Sequence, residues 1–499
     1  MRFGLTLPLL LVLVLLASPR SQASDLALVG GTIYLSPSEP PIERGTVVVH
    51  GGHILSVGPI AEIKVPQGAT AIDCKGLVVT AGFWNSHVHI LLPGLLHAEK
   101  LSSDQIASQL QQMLTSWGFT TVFDIASVLR NTNLIRHRIG TGEVKGPRIL
   151  TVGEPFWVRT PIYVKGFLEA NHISITEVES TAQAKERVRQ EVRDGADGIK
   201  IFANSVESNE ILTMPLNMAQ AIAAEAHSAH KPVFAHVSND RGIELAIQSG
   251  VDIMAHTTPF DGLWSPSFVQ RMVAAHMALT PTLTLWDVES RKGNASVGDI
   301  EKGMSRAAEQ LGAFSRAGGQ VLFGTDVGYI PQFDTSEEFA WMSRAGMSFQ
   351  EILASLTTNP ATRFGYAGKS GRIAKGLDAD LVVLSADPAQ ATSAFSKIRY
   401  TIRGGMSSTR RNDAPKSAET ASGRHKLDHG EQMKQRASEV PCAWERHLPA
   451  VRLAMRGAKE RSTSKASRSI PHCSSWLRSR CMLLFTKRRT RPPVISRIH

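Results

Sequence analysis

Eight short apolar segments along the middle of the chain, separated by stretches of helical periodicity, constrain the fold more than any other feature. The strand candidates are Val78–Phe83, Thr120–Ile125, Arg148–Val152, Gly198–Phe202, Val233–His236, Asp252–Ala255, Met277–Thr282 and Val321–Thr325. Between several of them, Ser180–Arg193, Met218–His230 and Arg241–Gln248 carry the apolar spacing of helices. Strand and helix alternating over about 250 residues predict an α/β chain closed as a (β/α)8 TIM barrel, expected over residues 81–365. In such a barrel the functional groups gather at the C-terminal strand ends.

The flanks read differently. Leu26–Val29, Thr46–His50 and His53–Val57 are short strand-like runs punctuated by Gly-Gly and Pro-rich turns, and the character returns at Leu381–Leu384 and Ile398–Ile402. Residues 24–80 and 366–405 are therefore expected to build one small β-sandwich from both flanking ends of the barrel. Residues 1–23 read as a signal peptide: Arg2, the apolar run Leu5 to Leu16, then Ser21-Gln22-Ala23. That run falls short of the roughly 20 residues a membrane span needs. Export to a periplasmic or secreted location is expected, with no stable membrane span.

The net charge of +11 resides in one segment. Residues 406–499 carry 21 Lys/Arg against 7 Asp/Glu, which leaves 34 against 37 for residues 1–405. The near-neutral body gives no reason to expect nucleic acid as a partner. The Arg- and Ser-rich stretch 406–499 lacks periodicity and is expected to be a disordered tail. Cys74, Cys442, Cys473 and Cys481 match neither a disulfide framework nor a zinc knuckle.

The chemistry lies at the strand ends. In His87-Val88-His89 both imidazoles share one face of an extended strand, about 6–7 Å apart at the backbone, and suit a divalent ion such as zinc. Lys200, flanked by Ile199 and Ile201, faces the barrel interior, where an ammonium is costly unless paired or neutralised. A neutral amine there could instead take up carbon dioxide as a carbamate. His236 and His256 each end a short apolar strand, and Asp326 ends the eighth. Taken singly, each also fits an ordinary hydrogen-bonded interior residue or a loop cap. As a set, they predict a metal site.

This pattern resembles the amidohydrolase superfamily, and within it the imidazolonepropionase-like hydrolases with a two-metal centre. The resemblance spans roughly residues 25–405. It rests on Gly82-Phe83-Trp84-Asn85-Ser86-His87-Val88-His89, Gly198-Ile199-Lys200-Ile201, the two single histidines, Gly324-Thr325-Asp326, Thr358-Asn359-Pro360-Ala361 and the closing segment Gly371 to Leu384. It implies two divalent ions, zinc being the expected metal. His87 and His89 would hold one with Asp326 alongside, His236 and His256 would hold the other, and N-carboxylated Lys200 would bridge them. It also implies that a metal-bridging hydroxide cleaves an amide of a small molecule, a dipeptide or an N-acyl amino acid, with Asp326 shuttling the proton. A lactonase or esterase on the same centre and a non-catalytic scaffold are the alternatives.

Five further residues sharpen the reading. Asn239 stands where deaminase relatives carry a Glu three residues after the fifth-strand His, which disfavours deamination. Asp124 ends the second strand and is expected to support by hydrogen bonding; Glu207 reads as a solvated loop acid. The loop Pro155 to Tyr163 is the candidate substrate loop, with Arg159 and Tyr163 as its contacts. It lacks the Gly-Gly-His that many relatives carry there, so their specificity does not transfer. Homo-oligomerisation is left open.

Overall fold

Alternation along the barrel strands decides which side chains reach the interior. The computed structural model describes residues 25–206 and 210–410. The expected signal peptide, Glu207 and the chain beyond Arg410 lie outside the described residues. We label the barrel strands β1 (Phe83–Val88), β2 (Phe119–Asp124), β3 (Arg148–Thr151), β4 (Ile199–Phe202), β5 (Val233–His236), β6 (Ile253–Ala255), β7 (Ala278–Thr280) and β8 (Gln320–Val321).

Strands β1 to β3 and β4 to β8 form two parallel sheets. Backbone hydrogen bonds close both gaps. Phe156 N donates to Lys200 O at 2.8 Å and Phe202 N to Phe156 O at 2.8 Å, joining the β3 extension to β4. Ser86 N to Phe323 O at 2.7 Å and His89 N to Val327 O at 2.8 Å join β1 to the β8 extension. The predicted barrel is thus present. Its eighth strand is regular only over Gln320–Val321, because the chain then bends to follow β1.

Outward residues such as Ile199, Ile201, Val233 and Ala235 join the main core under the helices. Inward residues Trp84, Phe123, Leu150, Phe234, Ile253 and Leu322 form a separate cluster that fills the barrel, with Phe364 and Tyr366 packed against it. Trp84 stacks on Phe364 at 5.9 Å, and Phe123 lies 4.8 Å from both Phe234 and Phe364. Burying each such ring stabilises the fold by about 1.5–3 kcal/mol. His236 takes the next inward position after Phe234 on β5, and Lys200 is the inward residue that β4 pairs with Phe234.

The small domain is one eight-stranded sheet built from both ends of the chain. Val78–Ala81 pairs antiparallel with Leu381–Leu384 and parallel with Leu26–Ile33, so the N- and C-terminal arms meet at its centre. Its own core holds Leu28, Val47, Val79, Leu381 and Val383, while Val78, Val382 and Leu384 face the barrel core.

Two expected boundaries move. Val78–Phe83 is not one strand: Val78–Ala81 belongs to the small sheet, and β1 begins at Phe83. Both segments are buried on both faces, and the apolar character runs on from Val78 through Trp84, so composition hides the crossing. The junction is Gly82, where a Cβ would stand 2.2 Å from Thr120 Oγ1. Second, the small sheet does not stop at residue 405. Gly404 and Gly405, with φ of 54° and 78°, make a two-residue hairpin turn, and Met406–Arg410 returns alongside Ile398–Arg403 as an edge strand. A polar edge strand lacks the apolar alternation that would mark it in sequence. Among the described residues, no helix is long and apolar enough to cross a membrane.

Arg148 ties the two parts together. At the start of β3, its guanidinium reaches Asp378 at 2.8 Å and the buried Asp380 at 3.5 Å. Arg148→Ala leaves the buried Asp380 carboxylate without its ion-pair partner, with Arg403 as the cation still acting on it, and the expected cost is about 2 kcal/mol or more. Urea denaturation measures this; a change below about 0.5 kcal/mol, typical of an exposed pair, would contradict the clamp.

Candidate metal centre

All six ligand-type residues point into the C-terminal mouth of the barrel. His87 and His89 leave the end of β1, where the register with β2 shifts between Asn85 and Val88. Lys200 is central in β4, and His236 ends β5. His256 and Asp326 adopt left-handed backbone conformations, with φ of 77° and 64°. Such conformations are rare for non-glycine residues and persist where the surroundings impose them. On β6, Ile253 and Ala255 point inward, so an extended His256 would face away. The left-handed turn re-aims it to the centre.

The contacts converge on one oxygen. Asp326 Oδ1 lies 3.0 Å from His87 Nε2 and 2.7 Å from His89 Nε2. Ligand atoms of His87, His256 and Asp326 all lie within 4.8 Å of one another. The His256 ring is 4.7 Å from that of His87, and His236 follows at 5.0 Å from His256. Lys200 is buried, and its charge is felt at His87, His236 and His256.

The remaining ring nitrogens are spoken for. His89 Nδ1 lies 2.9 Å from the Ala126 carbonyl, which can only accept, so Nδ1 carries the proton. His87 Nδ1 meets Thr280 Oγ1 at 3.1 Å, and that hydroxyl itself donates to Met254 O. His256 Nδ1 meets Thr282 Oγ1 at 2.7 Å. With its proton on Nδ1 and burial keeping it neutral, His87 turns its Nε2 lone pair toward a carboxylate oxygen. Acceptor against acceptor at 3.0 Å is repulsive unless a proton or a cation stands between them. Consistent with this, the buried His87 Nε2 has no hydrogen-bond partner. His236 differs: its Nε2 meets Tyr163 OH at 3.3 Å and Ser238 Oγ at 3.2 Å, which leaves Nδ1 for the centre.

Burial sets the protonation states. It pushes His87 down to about 4 against the opposing pull of Asp326, and pushes His236 down to about 3 with Lys200 adding to the effect. His256 is held well below its usual value by burial and then by His87. Burial raises the Asp326 carboxyl, but His87 and His89 outweigh it and hold the group well below the carboxylate range. Burial pushes Lys200 down to about 7, with Asp326 resisting. Neutral imidazoles, an ionised carboxylate and an amine able to shed its proton near neutral pH form a donor set for divalent cations.

Other expected residues sort themselves out. Asp124 accepts hydrogen bonds from Ser127, Thr151 and Ile90 N, which fixes the backbone beside His89 and fills the expected supporting role. Asn239 is a helix N-cap, accepting from Gly242 N. Of the two substrate-loop candidates, Tyr163 reaches the centre through His236. Arg159 does not: it is 55% exposed and pairs with Glu210 at 3.6 Å. Sequence reasoning missed Thr280 and Thr282, although two hydroxyls at i and i+2, one closing β7 and one just beyond it, were a readable signal.

The neutral histidines give the metal-free protein a pH dependence. In the unfolded chain they take up protons near 6.5, whereas His87 in the fold waits until about 4 and His236 until about 3. Between those limits the unfolded state binds more protons, so stability falls as pH drops from about 6.5, by about 1.4 kcal/mol per pH unit for each such histidine. The buried Glu338, pushed up to about 7, takes up its proton in the fold over the same range and opposes the trend. The histidine share is therefore read by difference: chelator-treated protein should lose more stability between pH 7 and 5 than its His236→Gln variant, and identical slopes would contradict the assignment.

Comparison with known proteins agrees with this geometry. The sequence profile of the Amidohydrolase family matches residues 78–411. The chain is 25% identical over 373 residues to imidazolonepropionase of Thermoplasma acidophilum, covering 69% of this chain and 83% of that protein. It is 22% identical over 378 residues to dihydroorotase of Streptococcus pneumoniae, covering 68% and 85%. A shorter match, 33% over 86 residues, is to protein LONG AFTER FAR-RED 3 of Arabidopsis thaliana; it spans 17% of this chain and only 15% of that protein. Among solved structures, a Xaa-Pro dipeptidase with bound methionine in its active site superposes with a TM-score of 0.65 at 21% identity, covering 77% of this chain and 99% of that one. A prolidase complexed with N-methylphosphonate-L-proline gives 0.64 at 24%, covering 78% and 100%.

Proposed function

The chain belongs to the amidohydrolase family, and we propose that within it the protein is a metal-dependent hydrolase cleaving the C–N bond of a small amide, a dipeptide or an N-acyl amino acid. The observation that carries this reading is the acceptor-to-acceptor contact of His87 with Asp326, whose same oxygen also meets His89. Two divalent ions bound by this donor set would acidify a water and polarise the scissile carbonyl.

The protein's own groups supply the rest. His87 and His89 would hold one ion and His236 and His256 the other, each oriented by its second ring nitrogen. Lys200, neutral for a sizeable fraction near pH 7, can attack carbon dioxide through its nitrogen lone pair and shed a proton. The resulting carbamate offers two oxygens from a single interior position. Asp326 accepts the proton of the attacking water and hands it to the nitrogen as the C–N bond breaks, so hydroxyl ends on the acyl carbon and hydrogen on the amine. Tyr163, beside His236, is the proposed substrate contact on the β3 loop. The buried walls keep bulk water from the reacting groups. We include export in the proposal on the strength of Arg2 and the Leu5–Leu16 run.

The dipeptidase and prolidase among the structural relatives direct the choice of first substrates. Purified protein should carry about two divalent ions per chain, and Lys200→Ala should lose most of that metal and at least about a hundredfold in kcat/KM on a responsive dipeptide or N-acyl amino acid. Absence of bound metal, together with no hydrolysis after adding zinc or manganese, would overturn the reading.

A further inference from the structure

A line of rings runs outward from one metal-ligand candidate. The Trp286 ring lies 5.9 Å from that of His256 at 72°, and the Phe260 ring lies 5.4 Å beyond at 86°. Trp286 Nε1 donates to Thr257 Oγ1 at 2.8 Å, which turns the polar edge of the indole into the barrel wall. Only carbon edge and face remain toward His256 and Phe260. Phe260 is 40% and Leu263 60% exposed, both on the loop that follows His256.

That exposure is built in. The buried Gln310 accepts from Thr258 N at 2.8 Å and donates to Thr258 O at 3.0 Å and Gly262 O at 2.6 Å. Trp264 Nε1 also donates to Thr258 Oγ1 at 2.9 Å. The loop is clasped at both ends of Pro259–Asp261, so Phe260 is held out rather than left loose. The neighbouring carboxylate, Asp261, is occupied by the backbone N of Asp240 at 2.8 Å. An apolar wall fixed beside a candidate metal ligand, open to solvent at its far end, discards free energy unless something apolar covers it.

We propose that the substrate carries an aromatic or bulky apolar side chain flanking the scissile acyl–nitrogen bond, seated against Trp286 and Phe260. This rests on the hydrolase reading above, which places the scissile carbonyl between the histidines. A group bonded to that carbonyl or nitrogen falls within one side-chain length of the Trp286 ring. Edge-to-face contact with two fixed rings favours an aromatic over a small side chain.

The test separates binding from turnover. Phenylalanine hydroxamate and alanine hydroxamate are titrated calorimetrically into the zinc-loaded full-length protein, the Phe260→Ala variant and the Trp286→Phe variant. The expected result is about tenfold or greater preference for the aromatic probe, falling below about threefold in Phe260→Ala and keeping most of its size in Trp286→Phe. Equal binding of the two probes, or a preference untouched by Phe260→Ala, overturns the proposal. A preference without hydrolysis of any amide would sink the hydrolase reading and leave the aromatic site standing. Hydrolysis with equal kcat/KM on phenylalanyl and alanyl substrates, alongside equal binding, would do the reverse. Failure of both probes to bind overturns the proposal, and metal content of the same sample shows whether the metal site fails with it.

Discussion

One carboxylate oxygen facing two imidazole nitrogens sets the terms for the rest of the molecule. Asp326 Oδ1 sits within 3.0 Å of both His87 and His89, in a site almost without solvent. Leaving a charge unpaired in such surroundings costs several kcal/mol, and neutral imidazoles cannot cancel it. Lys200, pushed by burial down to about 7, supplies only part of the balance near neutral pH. The interior therefore carries a standing deficit of positive charge, which divalent cations are suited to fill. The barrel holds that demand in place by strained backbone at His256 and Asp326, and Gly328 is equally committed: its φ is +101°, and a Cβ there would stand 1.9 Å from His89 O.

The orienting groups are shared with care. Thr282 precedes the helix Leu283–Lys292, where a threonine hydroxyl would ordinarily cap the free backbone N–H groups. Here the hydroxyl is engaged with His256 Nδ1 instead. The buried Glu338, from the helix Ser336–Arg344, takes over the cap, accepting from Leu283 N and Thr284 N at 2.8 Å each. Burial pushes this carboxyl up to about 7. A metal-ligand candidate, the start of a helix and a distant acid are thus one coupled unit. The same helix carries Trp286 in its first turn, so the wall beside His256 is positioned by the group that frees Thr282.

How much of this was legible in the sequence depended on whether neighbours in sequence or neighbours in space decided the outcome. The alternation Ile199-Lys200-Ile201 announces an inward lysine, because strand periodicity is local; β4 and β5 appear where expected. His236 follows from the same rule. His256 does not, since extended geometry would turn it outward, and only its left-handed φ brings it in. Arg159 looked like a substrate contact because it shares a loop with aromatics, yet Glu210 in a distant stretch captures it at the rim. Gly82 was invisible as a boundary because the apolar character runs on from Val78 through Trp84. Met406–Arg410 was invisible for the opposite reason, being a polar edge strand fixed by a Gly-Gly turn.

The filling of the barrel explains why the site sits at one end and is as dry as it is. Trp84, Phe123, Phe234 and Phe364 occupy the axis below the ligand layer, with Tyr366 against them. Phe234 and His236 are two residues apart on β5, so the apolar plug and the polar layer are successive inward positions of the same strand. Water cannot approach the imidazoles from beneath, and desolvation is the leading cause of their lowered proton affinity. Packing thereby does chemical service: the rings that stabilise the fold also keep three histidines neutral and Lys200 ready to lose its proton. A change that loosens the plug would admit water, return the imidazoles toward protonation and weaken the site without touching a ligand.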